Sequence, residues 1–284
     1  MQTRPIADRT VSAIGLGAMP MSVSPAPDEP QAIATIHAAL DAGVTLLDTA
    51  DAYAPDGAEM GHSERLLAKA LASWGGDRSS IMVATKGGHT RTEDGGWGQD
   101  GSPGYLRNAC EASLQALGTD IIDLYQFHRP DPRVPFVESV GALADLRDEG
   151  KIAQIGISNV DVGQIDAART ITTIATVQNQ FSPAFRSSSD ELERCAELGI
   201  AFLPWSPLGG IGDATTLGER FPTIAAVAID RGVSPQQVCL AWMLGLADVV
   251  IPIPGASRPR SITDSAAAAD LELSGQEIAR LSRP

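Results

Sequence analysis

The 284-residue chain is 43% hydrophobic and 20% charged, with a formal net charge of -14 at pH 7. That is enough apolar material for one large core, and with lysines and arginines scattered it is the wrong sign for gripping nucleic acid or an anionic membrane. No apolar run reaches the ~20 residues that span a bilayer, and Met1-Gln2-Thr3-Arg4-Pro5 leads into no apolar signal region, so a cytoplasmic protein is expected. Cys110, Cys195 and Cys239 are odd in number and far apart, which points to small core residues rather than a disulfide framework or a zinc site.

In chain order, Thr10 to Met19 reads as an apolar strand whose glycines admit close approach, with Ala13 to Gly17 as its core. A Ser/Pro/Asp-rich loop over residues 22-30 precedes a helix from Gln31 to Ala42, stopped by Gly43. Val44 to Asp48 is the next strand, Ser63 to Trp74 a helix with Ser63 as N-cap, and Ile81 to Lys86 a strand. Gly87 to Gly101 reads as a long Gly/Asp-rich loop, and Ser102 to Leu117, with Pro103 in its first turn, as a helix stopped by Gly118. Further strands are predicted at Ile121 to His128, Ile152 to Ser158, Thr176 to Gln180, Ile200 to Ser206 and Val249 to Ile253. Helices fall between them at Val134 to Glu149, Val162 to Thr170, Ser189 to Leu198, Pro222 to Asp230 and Pro235 to Leu246, and Ser274 to Leu281 forms a helical tail.

Eight short Val/Ile/Leu-rich strands alternating with helices are the pattern of a parallel sheet buried on both faces, here an α/β fold closed as a (β/α)8 TIM barrel in a single domain over 1-284. An open doubly wound sheet would carry a Gly-rich fingerprint after its first strand, and Gly15-Leu16-Gly17-Ala18-Met19-Pro20 lacks both the third glycine and the following helix. In a barrel the C-terminal strand ends share one face, where active sites sit. Asp48, Lys86, His128, Ser158, Gln178 and Trp205 stand at such ends.

Three of these groups, Asp48, Lys86 and His128, make chemical sense together with Tyr53. Tyr53 follows Asp48 by five positions, and a free phenol titrates near 10. Lys86 beside it would favour the phenolate and bring that value toward neutrality, while Asp48 would hold the ammonium in place. Such a tyrosine can give a proton to a carbonyl oxygen as a hydride reaches carbon, with His128 orienting the carbonyl.

Leu47-Asp48-Thr49-Ala50-Asp51-Ala52-Tyr53, Ala84-Thr85-Lys86-Gly87, Tyr125-Gln126-Phe127-His128-Arg129-Pro130-Asp131, Gly156-Ile157-Ser158-Asn159, Val177-Gln178-Asn179-Gln180-Phe181-Ser182, Pro204-Trp205-Ser206-Pro207-Leu208-Gly209-Gly210 and Ile251-Pro252-Ile253-Pro254-Gly255 resemble the motifs of the aldo-keto reductase family. The resemblance runs in order from about residue 12 to about residue 265. It implies a (β/α)8 barrel that binds a nicotinamide cofactor, usually NADPH (NADP+), in extended form, and reduces a small-molecule aldehyde or ketone. By position, Asp48, Tyr53, Lys86 and His128 match the family's catalytic tetrad, with Tyr53 the proton donor. Ser158, Asn159 and Gln178 match the residues that bond the nicotinamide carboxamide, and Trp205 the aromatic under the nicotinamide ring. The same path takes in Gly17, Ser206, Leu208 and Gly255. Backbone amides at a helix start, with Ser257 and the guanidinium of Arg258, make a phosphate site for the adenosine 2′-phosphate.

Departures from the family pattern carry their own expectations. Asp264 and Ser265 stand where the family shows an acidic or amide residue followed by Asn near the adenine, and Ala54-Pro55 follows Tyr53 where glycine is common. With no long segment after Pro284, an open pocket is expected, its walls drawn from Met19, Met21, His89 and Trp97. No nucleic-acid or membrane partner is expected, and the chain reads as a monomer or weak homo-oligomer. Two other readings stay open: a regulatory protein that binds NADPH with little turnover, as in the potassium-channel β-subunits on this fold, and a barrel isomerase or lyase without nicotinamide.

Overall fold

The computed structural model describes residues 1–23, 25–210 and 212–283. An antiparallel hairpin of β1 (Thr3–Ile6) and β2 (Arg9–Ser12) comes first. Seven parallel strands follow as one sheet: β3 (Leu16–Gly17), β4 (Leu46–Asp48), β5 (Met82–Gly87), β8 (Ile122–Phe127), β9 (Ile152–Ser158), β10 (Thr176–Gln178) and β11 (Ala201–Phe202). A second hairpin, β6 (His89–Arg91) and β7 (Trp97–Gln99), rises from the end of β5. The helices are α1 (Glu29–Asp41), α2 (His62–Ser73), α3 (Pro103–Leu117), α4 (Phe136–Asp148), α5 (Val162–Arg169), α6 (Ser189–Leu198), α7 (Leu217–Arg220), α8 (Pro222–Arg231), α9 (Pro235–Leu244), α10 (Pro259–Ala267) and α11 (Gly275–Leu281).

The predicted eighth strand over Val249 to Ile253 takes its place without becoming a regular ladder. Ile251 and Ile253 donate to Phe202 O (2.9 Å) and Pro204 O (3.2 Å) on one side, while Pro252 and Pro254 accept from Gly15 N (2.9 Å) and Gly17 N (3.0 Å) on the other. Proline has no N–H, so Pro254 cannot return a bond to Gly15 across the seam between the last stave and β3. Pro204 shortens the seventh strand to Ala201–Phe202 for the same reason. Glycine is required at this seam: a Cβ on Gly17 would sit 2.9 Å from Ile253 O.

Two hairpins depart from the sequence reading: one takes the first residues of the strand expected over Thr10 to Met19 and pairs them with Thr3–Ile6, and the other lies within the loop expected over Gly87 to Gly101. The first turns at Ala7, whose φ of 51° is a conformation usually left to glycine or asparagine, so the sequence carries no turn signal there. Its Ile6 and Val11 cap the N-terminal end of the barrel, packing on Leu46, Met82, Leu124, Leu203 and Ile251. The second hairpin has only three residues per strand, too few for alternation to show in a Gly/Asp-rich stretch.

Period 2 places the chemistry. Leu46, Met82 and Leu124 belong to the cluster inside the barrel, while Leu47, Val83 and Tyr125 pack outward against the helices. Two residues further along β4 and β8, and four further along β5 past Ala84, Asp48, Gln126 and Lys86 therefore point inward, above the apolar plug. Outside, the helices stop where glycine allows a left-handed turn, at Gly118, Gly199 and Gly232. The three cysteines are buried in this outer layer.

Candidate active site

The inward carboxylate of Asp48 is fully occupied. Its Oδ2 accepts from Lys86 Nζ at 2.6 Å, and its Oδ1 accepts from Gln178 Nε2 at 2.8 Å and Gln126 Nε2 at 3.1 Å. Lys86, with no exposed surface, also donates to Thr49 O at 2.8 Å and reaches the Tyr53 hydroxyl at 3.3 Å. Burial by itself lowers the ammonium's pKa, but Asp48 and Tyr53 outweigh it and the net shift is upward, so Lys86 stays charged at neutral pH.

Tyr53 corrects the sequence reading. Burial raises its pKa by more than the pull of Lys86 lowers it, and Asp48 adds to the rise, so the phenol lies above its usual 10 rather than near neutrality. It is a neutral O–H donor at pH 7. The edge of the His128 ring meets it, with centroids 5.6 Å apart and planes at 84°. Burial first, then Lys86, His89 and Arg129, hold His128 well below its usual value, and the imidazole is neutral with a buried Nδ1 that has no partner among the described residues.

Above this group opens a cleft of about 850 Å³. Asp48, Tyr53 and His128 reach its floor, while Lys86 lies beneath them. Ser158, Asn159, Gln178 and Trp205 line one wall. Asn159 holds φ at 58° and Ser206 at 49°, two left-handed non-glycine residues on either side of Trp205. The Asn159 amide donates to His128 O (3.0 Å) and Ser158 Oγ (2.9 Å), and its carbonyl accepts from Trp205 Nε1 at 3.2 Å. The strained backbone thus fixes the indole at the cleft edge. Gln178 gives its Nε2 to Asp48 while also lining the cleft.

The far end of the cleft passes Gly17, Leu208 and Gly255 to the start of α10, with Ser257, Arg258, Arg260 and Asp264 beside it. Gly255 is small for the same reason as Gly17, since a Cβ there would meet Pro20 at 2.7 Å. The helix start offers fewer amides than expected: Pro259 has none, and Ser261 N–H already bonds Arg258 O at 3.0 Å. An anion there would rest on Arg258 and Arg260 themselves. Asp264 accepts from Ser234 Oγ (2.6 Å) and Gln237 Nε2 (2.7 Å), tying α10 to α9.

Of the four residues expected in the pocket wall, Met19, His89 and Trp97 line the cleft and Met21 does not. Met21 is 1% exposed and packs with Leu16, Ile36 and Leu47, because the short 3₁₀ turn Met19–Met21 sends the two methionines to opposite sides. His89 and Trp97, on the two strands of the second hairpin, stack with centroids 4.6 Å apart. Among the residues the sequence reading did not single out are Gln126, visible as a polar residue at an inward position of β8, Arg129 on the loop after β8, and Arg260 and Ser261 in the first turn of α10, the last three lining the cleft.

The fold and this floor of carboxylate, ammonium, phenol and imidazole define a barrel oxidoreductase class, and comparison with known proteins agrees. A sequence model of the Aldo/keto reductase family matches residues 13–283, and the chain belongs to that family. It is 35% identical over 280 residues to an uncharacterized oxidoreductase of Schizosaccharomyces pombe, covering 97% of this chain and 87% of that protein. A glycerol dehydrogenase of Gluconobacter oxydans superposes with a TM-score of 0.84 at 26% identity, over 98% of this chain and 93% of that one. An aldo/keto reductase of Klebsiella pneumoniae, solved with NADP and acetate, gives 0.80 at 30% identity over 96% and 90%.

Proposed function

We propose that the protein reduces an aldehyde or ketone to an alcohol with NADPH, Tyr53 acting as general acid. The observation that carries this reading is the buried Lys86 ammonium held between Asp48 Oδ2 and the Tyr53 hydroxyl at the floor of the cleft. The cleft fits a dinucleotide: an edge-anchored indole offers a ring face at one point, and free guanidiniums stand at the α10 end. Trp205, Asn159 and Ser158 would hold the nicotinamide, and Arg258, Arg260 and Ser257 the adenosine phosphate. Bound NADPH supplies a hydride to the carbonyl carbon.

The protein's own residues do the rest. Neutral His128 and the Tyr53 hydroxyl orient the carbonyl oxygen, and neither competes for it as a charge. As negative charge develops on that oxygen, Tyr53 gives up its proton to it, completing the O–H of the alcohol. The phenolate left behind lies beside the Lys86 ammonium, whose position Asp48, Gln126 and Gln178 fix in advance, so little reorganisation accompanies the transfer.

The test is the loss of reduced cofactor absorbance with a panel of aldehydes and ketones, NADPH and NADH side by side. Wild type should consume NADPH, and Tyr53→Phe should be slower by ~100-fold or more, the scale of a lost general acid. Equal rates for the two proteins would remove the reading.

A further inference from the structure

The cleft holds one permanent cation that the proposed chemistry does not use. Arg129 follows β8, lines the cleft beside His89, Trp97 and His128, and is half-buried. The neighbouring acid in sequence, Asp131, is taken by Arg133 at 2.8 Å, and Arg129 enters no ion pair among the described residues. Arg91, the other cation near this wall, is spent on structure: its guanidinium lies 4.0 Å from the Trp97 ring centroid and donates to Pro55 O at 2.7 Å.

Topology separates Arg129 from the cofactor's phosphate end. Around the barrel β8 is the fourth stave and Val249 to Gly255 the eighth, so Arg129 stands across the mouth from Arg258 and Arg260. Its backbone is fixed: His128 N–H donates to Gly87 O (2.9 Å), His128 O accepts from Asn159, and Pro130 confines Arg129 to extended conformations. The two imidazoles at this end are neutral at pH 7. Burial, then Arg129 and Arg91, bring His89 down to about 4, and both rings have a buried Nδ1 without a partner among the described residues. Charge recognition here therefore falls to Arg129, with the imidazoles available as hydrogen-bonding groups.

We infer that the physiological substrate is an oxo acid, an aldehyde or ketone with a carboxylate a few bonds from its carbonyl, and that Arg129 binds the carboxylate while Tyr53 and His128 hold the carbonyl. An unpaired guanidinium next to the catalytic imidazole suits a compact anion, and a planar fork suits a carboxylate. This rests on the carbonyl-reductase reading of the same cleft.

The experiment compares succinic semialdehyde with methyl 4-oxobutanoate, its uncharged ester, in wild type, Arg129→Met and Arg129→Lys. It adds calorimetric titration of benzoate into each protein, with and without NADP+. Wild type should favour the acid by ~10-fold or more in kcat/KM. Arg129→Met should erase that preference mainly through the KM of the acid, with Arg129→Lys between, on the scale of a lost charged hydrogen bond. Benzoate should bind wild type and be lost with Arg129→Met. Equal effects of Arg129→Met on acid and ester, or a wild type that prefers the ester, would overturn the inference while leaving the reductase reading intact. If the wild type reduces other carbonyls but neither of these, the oxo-acid inference falls and the reductase reading stands; if it reduces no carbonyl at all, both fall.

Discussion

Asp48 and Asp51 leave one chain segment three positions apart, 2% and 4% exposed, and their surroundings treat them in opposite ways. Asp48 points into the barrel and receives an ammonium and two amide donors. Asp51 points out toward α2 and α3, where its buried neighbour is a second acid, Glu64, held by Thr85 Oγ1 at 2.5 Å. Burial first, and then Glu64, push Asp51 well above the usual carboxylate range; burial also raises Glu64, against the hydrogen bond from Thr85. Asp51 Oδ1 and the hydroxyls of Ser63 and Tyr125 are buried without partners among the described residues. The inner site keeps a pair of opposite charges by supplying donors; the outer one buries its acids without a cation beside them, and their pKa values rise.

Breaking the inner arrangement should have the largest effect. Lys86→Met leaves Asp48 buried without its cation, and an orphaned buried charge costs about 3–5 kcal/mol. Urea denaturation should show that loss, and kcat/KM should drop by roughly 1000-fold or more because Tyr53 loses the charge that receives its phenolate. The double variant Lys86→Met/Asp48→Asn should regain much of the stability and none of the activity. A fully stable single variant would mean that Asp48 is not kept charged by Lys86.

A smaller change sharpens the same point. Gln126→Leu removes one of two amide donors to Asp48 Oδ1 and keeps the side chain's bulk. The expected cost is about 1–2 kcal/mol, with kcat reduced by roughly 10-fold as the Lys86–Asp48 geometry loosens. Unchanged kcat would show that Gln178 alone suffices to set the pair.

Much of this was legible in the sequence, for reasons particular residues make plain. Asp48, Lys86, His128 and Trp205 announce themselves by ending apolar runs, since a strand end in a barrel is also an active-site position. Their convergence on the cleft follows from strand order and period 2 alone. What could not be read is whatever depends on burial as a magnitude. The phenol of Tyr53 was expected to fall toward neutrality because Lys86 is near, and it rises because desolvation is larger. Met21 was assigned to the pocket beside Met19, and a single 3₁₀ turn sends it into the core. Gln126 and Arg129 were in view within one motif, but an amide and a guanidinium gain meaning only when their partners, or lack of partners, are known.

The outer pair offers the smallest effect and the clearest sign. Glu64 is an acid whose folded pKa lies above its unfolded value, so the folded state holds the proton longer. Its contribution to stability is complete below the unfolded value near 4.3 and is lost as pH rises through the folded value, where the native state must ionise a buried group. Glu64→Gln keeps the shape and the bond to Thr85 and removes that liability. Chemical denaturation of wild type and variant from pH 4 to pH 8 should show near-equal stability at the acid end. The difference should move in the variant's favour as pH rises. A gap that stays constant with pH would mean that Glu64 is already ionised in the folded protein, and the contrast with Asp48 would then lie in geometry rather than in protonation.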